Sequence, residues 1–192
     1  TMYSVIMGHL GSDAVAANSI ANIVKNLIVS FCTGLANGGG IVVGNELGMG
    51  DLKRAKKYGD FLWKMAMISG VVSGLFLMVL SPWILNVTTL SSQATEYLKW
   101  MLIFCACYMV AKSINMTTIA GIFPAGGDSK FGLICDTITM WVFAVPTGFI
   151  AAFVFNLPVV AVFLIINLDE AVKLPAAIVH YRKYGWLKNI TR

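Results

Sequence analysis

Apolar residues run along this chain in long blocks, with polar and charged residues gathered in the short gaps between them. Four blocks, at 61–85, 95–118, 131–155 and 158–180, match the roughly 20 residues that a helix needs to cross the hydrocarbon of a bilayer. A fifth, at 14–43, is only moderately apolar and is interrupted by Asn and Lys. Residues 1–8 read as the end of a further helix that stops near Gly8. With no initiator Met and no basic flank there, the N-terminal part of the protein is expected to be missing. Trp63 and Trp83 stand roughly 30 Å apart at helical rise, so both can sit in interfacial aromatic belts. Gly70 and Gly74 form a G-x-x-x-G that permits close helix approach. Pro146 predicts a kink within 131–155, and Pro158 opens the last block at a favoured first-turn position.

Composition makes the same demand on the solvent. Of 192 residues, 58% are apolar and only 12% charged, against about 25% charged in a soluble domain. The chain therefore reads as an all-α membrane protein, a polytopic bundle of five full transmembrane helices plus the end of a sixth. Its net charge of +5 does not imply a nucleic-acid partner, because the basic residues alternate between gaps. The gap at 8–13 has no Lys or Arg, and 44–58 has Lys53, Arg54, Lys56 and Lys57. The gap at 86–94 has none, 119–130 has Lys130, the turn at Asn156 has none, and the tail has Arg182, Lys183, Lys188 and Arg192. The positive-inside rule then places the 44–58 and 119–130 loops and the C-terminus in the cytoplasm of a cell whose plasma (inner) membrane holds the protein.

The polar residues of 14–43 are not scattered. Asn18, Asn22, Lys25, Asn26, Ser30, Thr33 and Asn37 recur every three to four residues and share a helix face. Unsatisfied polar groups in lipid cost several kcal/mol each, so this stripe must meet either other helices, as hydrogen-bonding glue, or a wet cavity. Lys25 lies roughly 16 Å into its span at helical rise, too deep for easy snorkelling, and marks a functional position. A second stripe, Cys105, Tyr108, Lys112, Asn115 and Thr118, follows on 95–118. Lys112 is near enough to the end of its span to snorkel. Asp136 is placed to pair with a lysine or to cap a cytoplasmic network. Asp169, Glu170 and Lys173 have i,i+3 and i,i+4 spacings and read as helix-local ion pairs.

Several chemistries are not supported. No G-x-x-x-x-G-K-[ST] loop is present. Gly48-Met49-Gly50 lacks the strand context of a dinucleotide loop, and Gly38-Gly39-Gly40 reads as close packing or local unwinding. Neither His9 nor His180 has a metal-binding partner at useful spacing, so no metal or other cofactor is expected. Cys32, Cys105, Cys107 and Cys135 lie in apolar stretches and read as small buried hydrophobes rather than disulfides. No nucleophile and base constellation stands out, so the protein reads as a non-enzyme.

Four pieces of the sequence carry a resemblance. They are Gly11-x-x-Ala14-x-Ala16-Ala17-Asn18-x-Ile20; Val43-Gly44-Asn45-x-Leu47-Gly48-x-Gly50-Asp51 followed by Ala55-Lys56; Gly121-Ile122-Phe123-Pro124-Ala125-Gly126-Gly127-Asp128 continuing into Asp136, Trp141 and Pro146; and Trp186-Leu187-Lys188-Asn189-Ile190-Thr191. In order and spacing they resemble the C-terminal half of the multidrug and toxic compound extrusion (MATE) transporters, over essentially the whole chain. The resemblance implies the C-terminal lobe of a twelve-helix antiporter built from two six-helix bundles. Such a protein exports drugs or other organic cations, driven by inward Na⁺ or H⁺. Many members carry an ion-coupling Asp on the tenth helix and a Glu on the seventh. This sequence has no acidic residue between Glu96 and Asp128, so the coupling ion is expected to bind outside this chain. Phe123-Pro124-Ala125 stands where an Arg usually precedes Gly-Gly-Asp.

The expected partners are the bilayer, an N-terminal lobe of the same transporter, and small organic cations or amphipathic drugs. The candidate pathway residues are Asn18, Asn22, Lys25, Asn26, Thr33, Tyr108, Lys112, Asn115 and Asp136. Two other readings remain open: a flippase of related architecture for lipid-linked precursors, which would use Lys25 and Lys112 against pyrophosphate, and a non-transporting membrane fragment.

Overall fold

The computed structural model describes residues 2–188. Thr1 of the expected helix remnant, Asn189 to Thr191 of the fourth motif piece, and Arg192 of the basic tail lie outside the described residues. Within them the chain is helical: α1 Met2–His9, α2 Ser12–Gly48, α3 Leu52–Val87, α4 Ser92–Ala125, α5 Ser129–Val154, α6 Val159–Asn167 and α7 Asp169–Arg182. Among the described residues, α2 to α5 are each long and apolar enough to cross a membrane. The expected span at 158–180 is instead broken into α6 and α7. The Asn167 side-chain amide donates to the Phe163 carbonyl at 2.8 Å, and Leu168 N–H closes a short turn onto Ile165 at 3.3 Å. A polar side chain thus competes for a carbonyl of the helical ladder just where two acidic residues begin the next helix.

α2 and α3 run well beyond 14–43 and 61–85. At 1.5 Å per residue each is about 55 Å long, so their ends pass through the headgroup layer. Their junction is a tight reversal. Gly50 has φ 79°, a conformation that favours glycine, and the Asp51 carboxylate caps α3 by accepting from the Arg54 backbone N–H at 3.0 Å. Ser91 caps α4 likewise, accepting from Ala94 N–H at 3.1 Å.

Close approach defines the centre of the bundle. A Cβ on Gly70 would lie 2.7 Å from Val110 Cα, and one on Gly74 would lie 2.5 Å from the Ala106 carbonyl oxygen. The G-x-x-x-G is therefore the α3 surface against α4. Of Gly38-Gly39-Gly40, α2 continues through all three without unwinding. Gly40 meets the Gly121 backbone of α4, where a Cβ would fall 2.9 Å from the Gly121 oxygen. The α4 backbone is widened there into a π-helical stretch, Met116–Ile122, just ahead of Pro124. Two more such stretches, Thr139–Ala144 and Ile150–Val154, flank the turn containing Pro146. Proline cannot donate to the ladder and clashes with the preceding turn, and the neighbouring turns here have a widened register.

Connections gather at two ends. At one, Ser91 Oγ donates to Asp13 at 2.7 Å and His9 stacks on Phe153 at 3.9 Å, bringing together the gaps that lack Lys and Arg. At the other, Tyr181 Oη donates to Asp60 at 2.7 Å, His180 pairs with Asp128 at 2.6 Å, and Trp186 is fully buried against Gly59 and Gly126. The basic gaps share this end. The core divides in the same way. One apolar cluster holds Ile6, Ala17, Leu98, Met101, Leu102, Val162, Phe163 and Ile166. A second, around Leu47, Leu62, Ile122, Phe123, Ala177 and Trp186, fills the basic end.

Candidate functional site

Between the two apolar clusters lies a layer of charge. On α4 the first cluster reaches Met109 and the second starts at Ile119; along α6 and α7 the corresponding residues are Ile166 and Ala177. The intervening residues include Lys112 and Asn115 on α4, and Asp169, Glu170 and Lys173 on α7.

Glu170 is the hub. Its residue is 5% exposed, and its Oε1 accepts from Lys112 Nζ at 2.6 Å and from Lys173 Nζ at 3.1 Å. Asn115 Nδ2 donates to Glu170 Oε2 at 2.9 Å and to its backbone carbonyl at 2.7 Å. Lys173 also reaches Asp136 at 3.0 Å and Asp169 at 3.4 Å. A carboxylate removed from water is tolerated only when paired and hydrogen-bonded, and Glu170 has two ammonium partners and an amide. Asn115 Oδ1 and Thr117 Oγ1 nearby are buried with no hydrogen-bond partner.

Each sequence-predicted residue can now be placed. Lys112 does not snorkel; it turns inward onto Glu170. Asp136 pairs with a lysine, Lys173 on α7. Asn115 is buried in the hub, while Tyr108 belongs to the first apolar cluster and stacks on Phe104 at 5.5 Å. Asn18 is buried and its Oδ1 accepts from Asn22 Nδ2 at 3.0 Å. Lys25 Nζ donates to Asn167 Oδ1 at 3.4 Å, a long bond to a neutral amide. It has no carboxylate at ion-pair distance among the described residues, although Asp169 and Glu170 act on it electrostatically from further off. Thr33 donates to its own helix at Val29 O, 3.0 Å away. Asn26 is exposed, as are Ser30 and Asn37. Ser30 Oγ turns back to the Asn26 carbonyl at 2.8 Å, and the Asn26 and Asn37 amides have no side-chain partner among the described residues.

The stripe on α2 is thus two rows. Asn18, Asn22 and Lys25 turn towards the bundle, and Asn26, Ser30 and Asn37 line its open side. The exposed apolar residues Ile23 and Ile41 share that side, and Leu27 and Phe31 lie next to it. Asn167 and Glu170 are the residues that sequence reasoning missed. Spacing suggested local pairs on one helix; only the fold brings α4 and α5 against that helix. The MatE family model matches residues 1–150. The chain belongs to the MATE family. Over 146 residues it is 24% identical to the probable multidrug resistance protein NorM of Listeria innocua, covering 76% of this chain and 32% of NorM. It is 25% identical over 156 residues to multidrug and toxin extrusion protein 1 of Xenopus tropicalis, covering 81% of this chain and 27% of that protein. The crystal structure of the eukaryotic MATE transporter AtDTX14 superposes with a TM-score of 0.83 at 15% identity, over 92% of this chain and 39% of that one; this shows the fold. The MATE chain spans between about a quarter and a third of the length of these curated relatives. Glu170 and Lys173 fall beyond the residues that the family model matches.

Proposed function

We propose that this chain is the C-terminal lobe of a MATE secondary antiporter that exports drugs or other organic cations against inward Na⁺ or H⁺. In this reading α1 is the end of the seventh helix, α2 to α5 are the eighth to eleventh, and α6 with α7 forms the twelfth. The basic end and the C-terminus lie in the cytoplasm of a plasma-membrane protein, which agrees with the gathering of Lys and Arg at one end of the bundle.

The observation that carries the reading is the open polar row on α2. Asn26, Ser30 and Asn37 stand exposed in a membrane-spanning helix; the Ser30 hydroxyl is bonded back to the helix, but lipid cannot satisfy the Asn26 and Asn37 amides. A partner lobe across a hydrated cavity satisfies them, and lobes rocking about such a cavity give alternating access. Asp136, Asp169 and Glu170 are held by Lys112 and Lys173 of this same bundle, which supports coupling at a carboxylate in the other lobe. Lys25, with only an amide partner, keeps the lipid-linked precursor flippase as the second reading.

The test is efflux of a cationic dye from cells expressing the full-length protein. Export that collapses when the Na⁺ or H⁺ gradient is removed, and is lost with Asn26→Leu, Ser30→Ala and Asn37→Leu combined at normal expression, supports the antiporter. Gradient-independent retention of dye by the native protein contradicts it.

A further inference from the structure

The first turns of α3 carry a feature that membrane topology does not require. Lys53, Lys56, Lys57, Asp60, Phe61 and Lys64 line an open cleft of about 410 Å³ at the basic end of the bundle. Two members are committed elsewhere. The Asp60 carboxylate accepts from Tyr181 at 2.7 Å and from Tyr184 at 3.4 Å, and Lys56 Nζ sits 4.2 Å above the Tyr184 ring. Lys53, Lys57 and Lys64 are exposed, and none forms an ion pair among the described residues. Three free ammonium groups therefore share one cleft beside an aromatic ring that is 58% exposed.

The same helix face continues into the bilayer. Lys53, Lys57, Lys64, Ile68, Val71 and Leu75 follow one another at three-, four- or seven-residue spacings, which keeps them on one side of the helix. Ile68, Val71 and Leu75 are all exposed. The face is cationic over its first turns and apolar along the rest, with Phe61 at the transition. A phospholipid has this division along its length: a phosphate at the interface and acyl chains below it. Positive-inside topology accounts for basic residues at this end, and Lys130, Lys183 and Lys188 also meet that need. It does not account for three unpaired lysines converging on a cleft in line with a lipid-facing apolar strip.

We propose that this cleft binds the headgroup phosphate of an anionic glycerophospholipid, whose acyl chain lies along Ile68, Val71 and Leu75. Clustered lysines next to a membrane helix attract anionic headgroups, and the apolar strip selects a lipid over a free phosphate. The inference needs only the membrane location of α3 and stands apart from transport.

Native mass spectrometry of the purified protein tests it, with dioleoyl phosphatidylglycerol and dioleoyl phosphatidylcholine as probes. Selective retention of the phosphatidylglycerol is expected, weakened by about tenfold or more in K53Q/K57Q/K64Q. The variant K130Q/K183Q/K188Q removes equal charge from the same end and should retain the lipid. The single variant Lys57→Glu, on an exposed side chain, should weaken retention in the same direction. Equal retention of the two lipids, unchanged retention in K53Q/K57Q/K64Q or Lys57→Glu, or an equal loss in the control variant would overturn the proposal. Displacement of the phosphatidylglycerol by millimolar inorganic phosphate would also overturn it, by showing a site for free anions.

Discussion

At the scale of single residues, lysines in similar sequence settings have different roles. Lys112 and Lys173 neutralise Glu170, whereas Lys25 reaches only the Asn167 amide. Removing one partner from a buried pair typically costs about 3–5 kcal/mol, because the other charge is left uncompensated. Glu170→Gln should therefore lower the thermal midpoint of the detergent-solubilised protein markedly. Lys112→Met combined with Glu170→Gln should cost less than the sum of the two single variants, as a double-mutant cycle would report. Lys25→Met should leave the midpoint nearly unchanged and yet abolish or re-direct transport in the full-length protein. A midpoint loss as large as that of Lys112→Met would assign Lys25 to structure instead. Helical periodicity shows the recurrence of polar residues on α2, but the division into an inward row with Lys25 and an outward row with Asn26 comes only from packing. Lys112 reads as free to snorkel because its partner is distant in the chain, and only the packing of α4 on α7 creates the pair.

At the scale of elements, glycine sets the distance between helices. Gly74 faces the Ala106 carbonyl so closely that a side chain cannot enter without moving α4. Gly74→Val should destabilise the bundle by more than about 2 kcal/mol, in the range of overpacking penalties. Val79→Leu, at a position on the same helix that is 76% exposed, should leave the thermal midpoint unchanged. Equal effects at the two positions would mean that α3 does not pack on α4 through this face. Three of the four membrane-crossing helices, α3 to α5, follow from long apolar blocks, and α2 from a moderately apolar one with a polar stripe. The break between α6 and α7 does not, since 158–180 is apolar enough in composition. It arises from one side-chain hydrogen bond at Asn167 and a short turn at Leu168, which no hydropathy pattern records. The π-helical turns beside Pro124 and Pro146 are likewise local responses of the backbone, of which the sequence shows only the prolines.

For the whole molecule, the separation of basic and non-basic ends and the open polar row on α2 give the helical bundle a direction and a face. Single cysteines at Thr89 and Lys183, in a background with the native cysteines replaced, should label from opposite sides of the membrane, with position 183 accessible only from the cytoplasm. Labelling of both from one side would contradict the topology. The central claim is that the polar row borders a hydrated cavity, and thiol accessibility measures this most directly. In the full-length transporter, Asn26→Cys, Ser30→Cys and Asn37→Cys should react with a charged, water-borne thiol reagent and be protected by a transported dye. Phe31→Cys and Val42→Cys, at exposed apolar positions about 100° or more round the helix from all three, should stay unreactive. Failure of all three polar-row positions to label, or equal labelling of both rows, would contradict a wet cavity at this face.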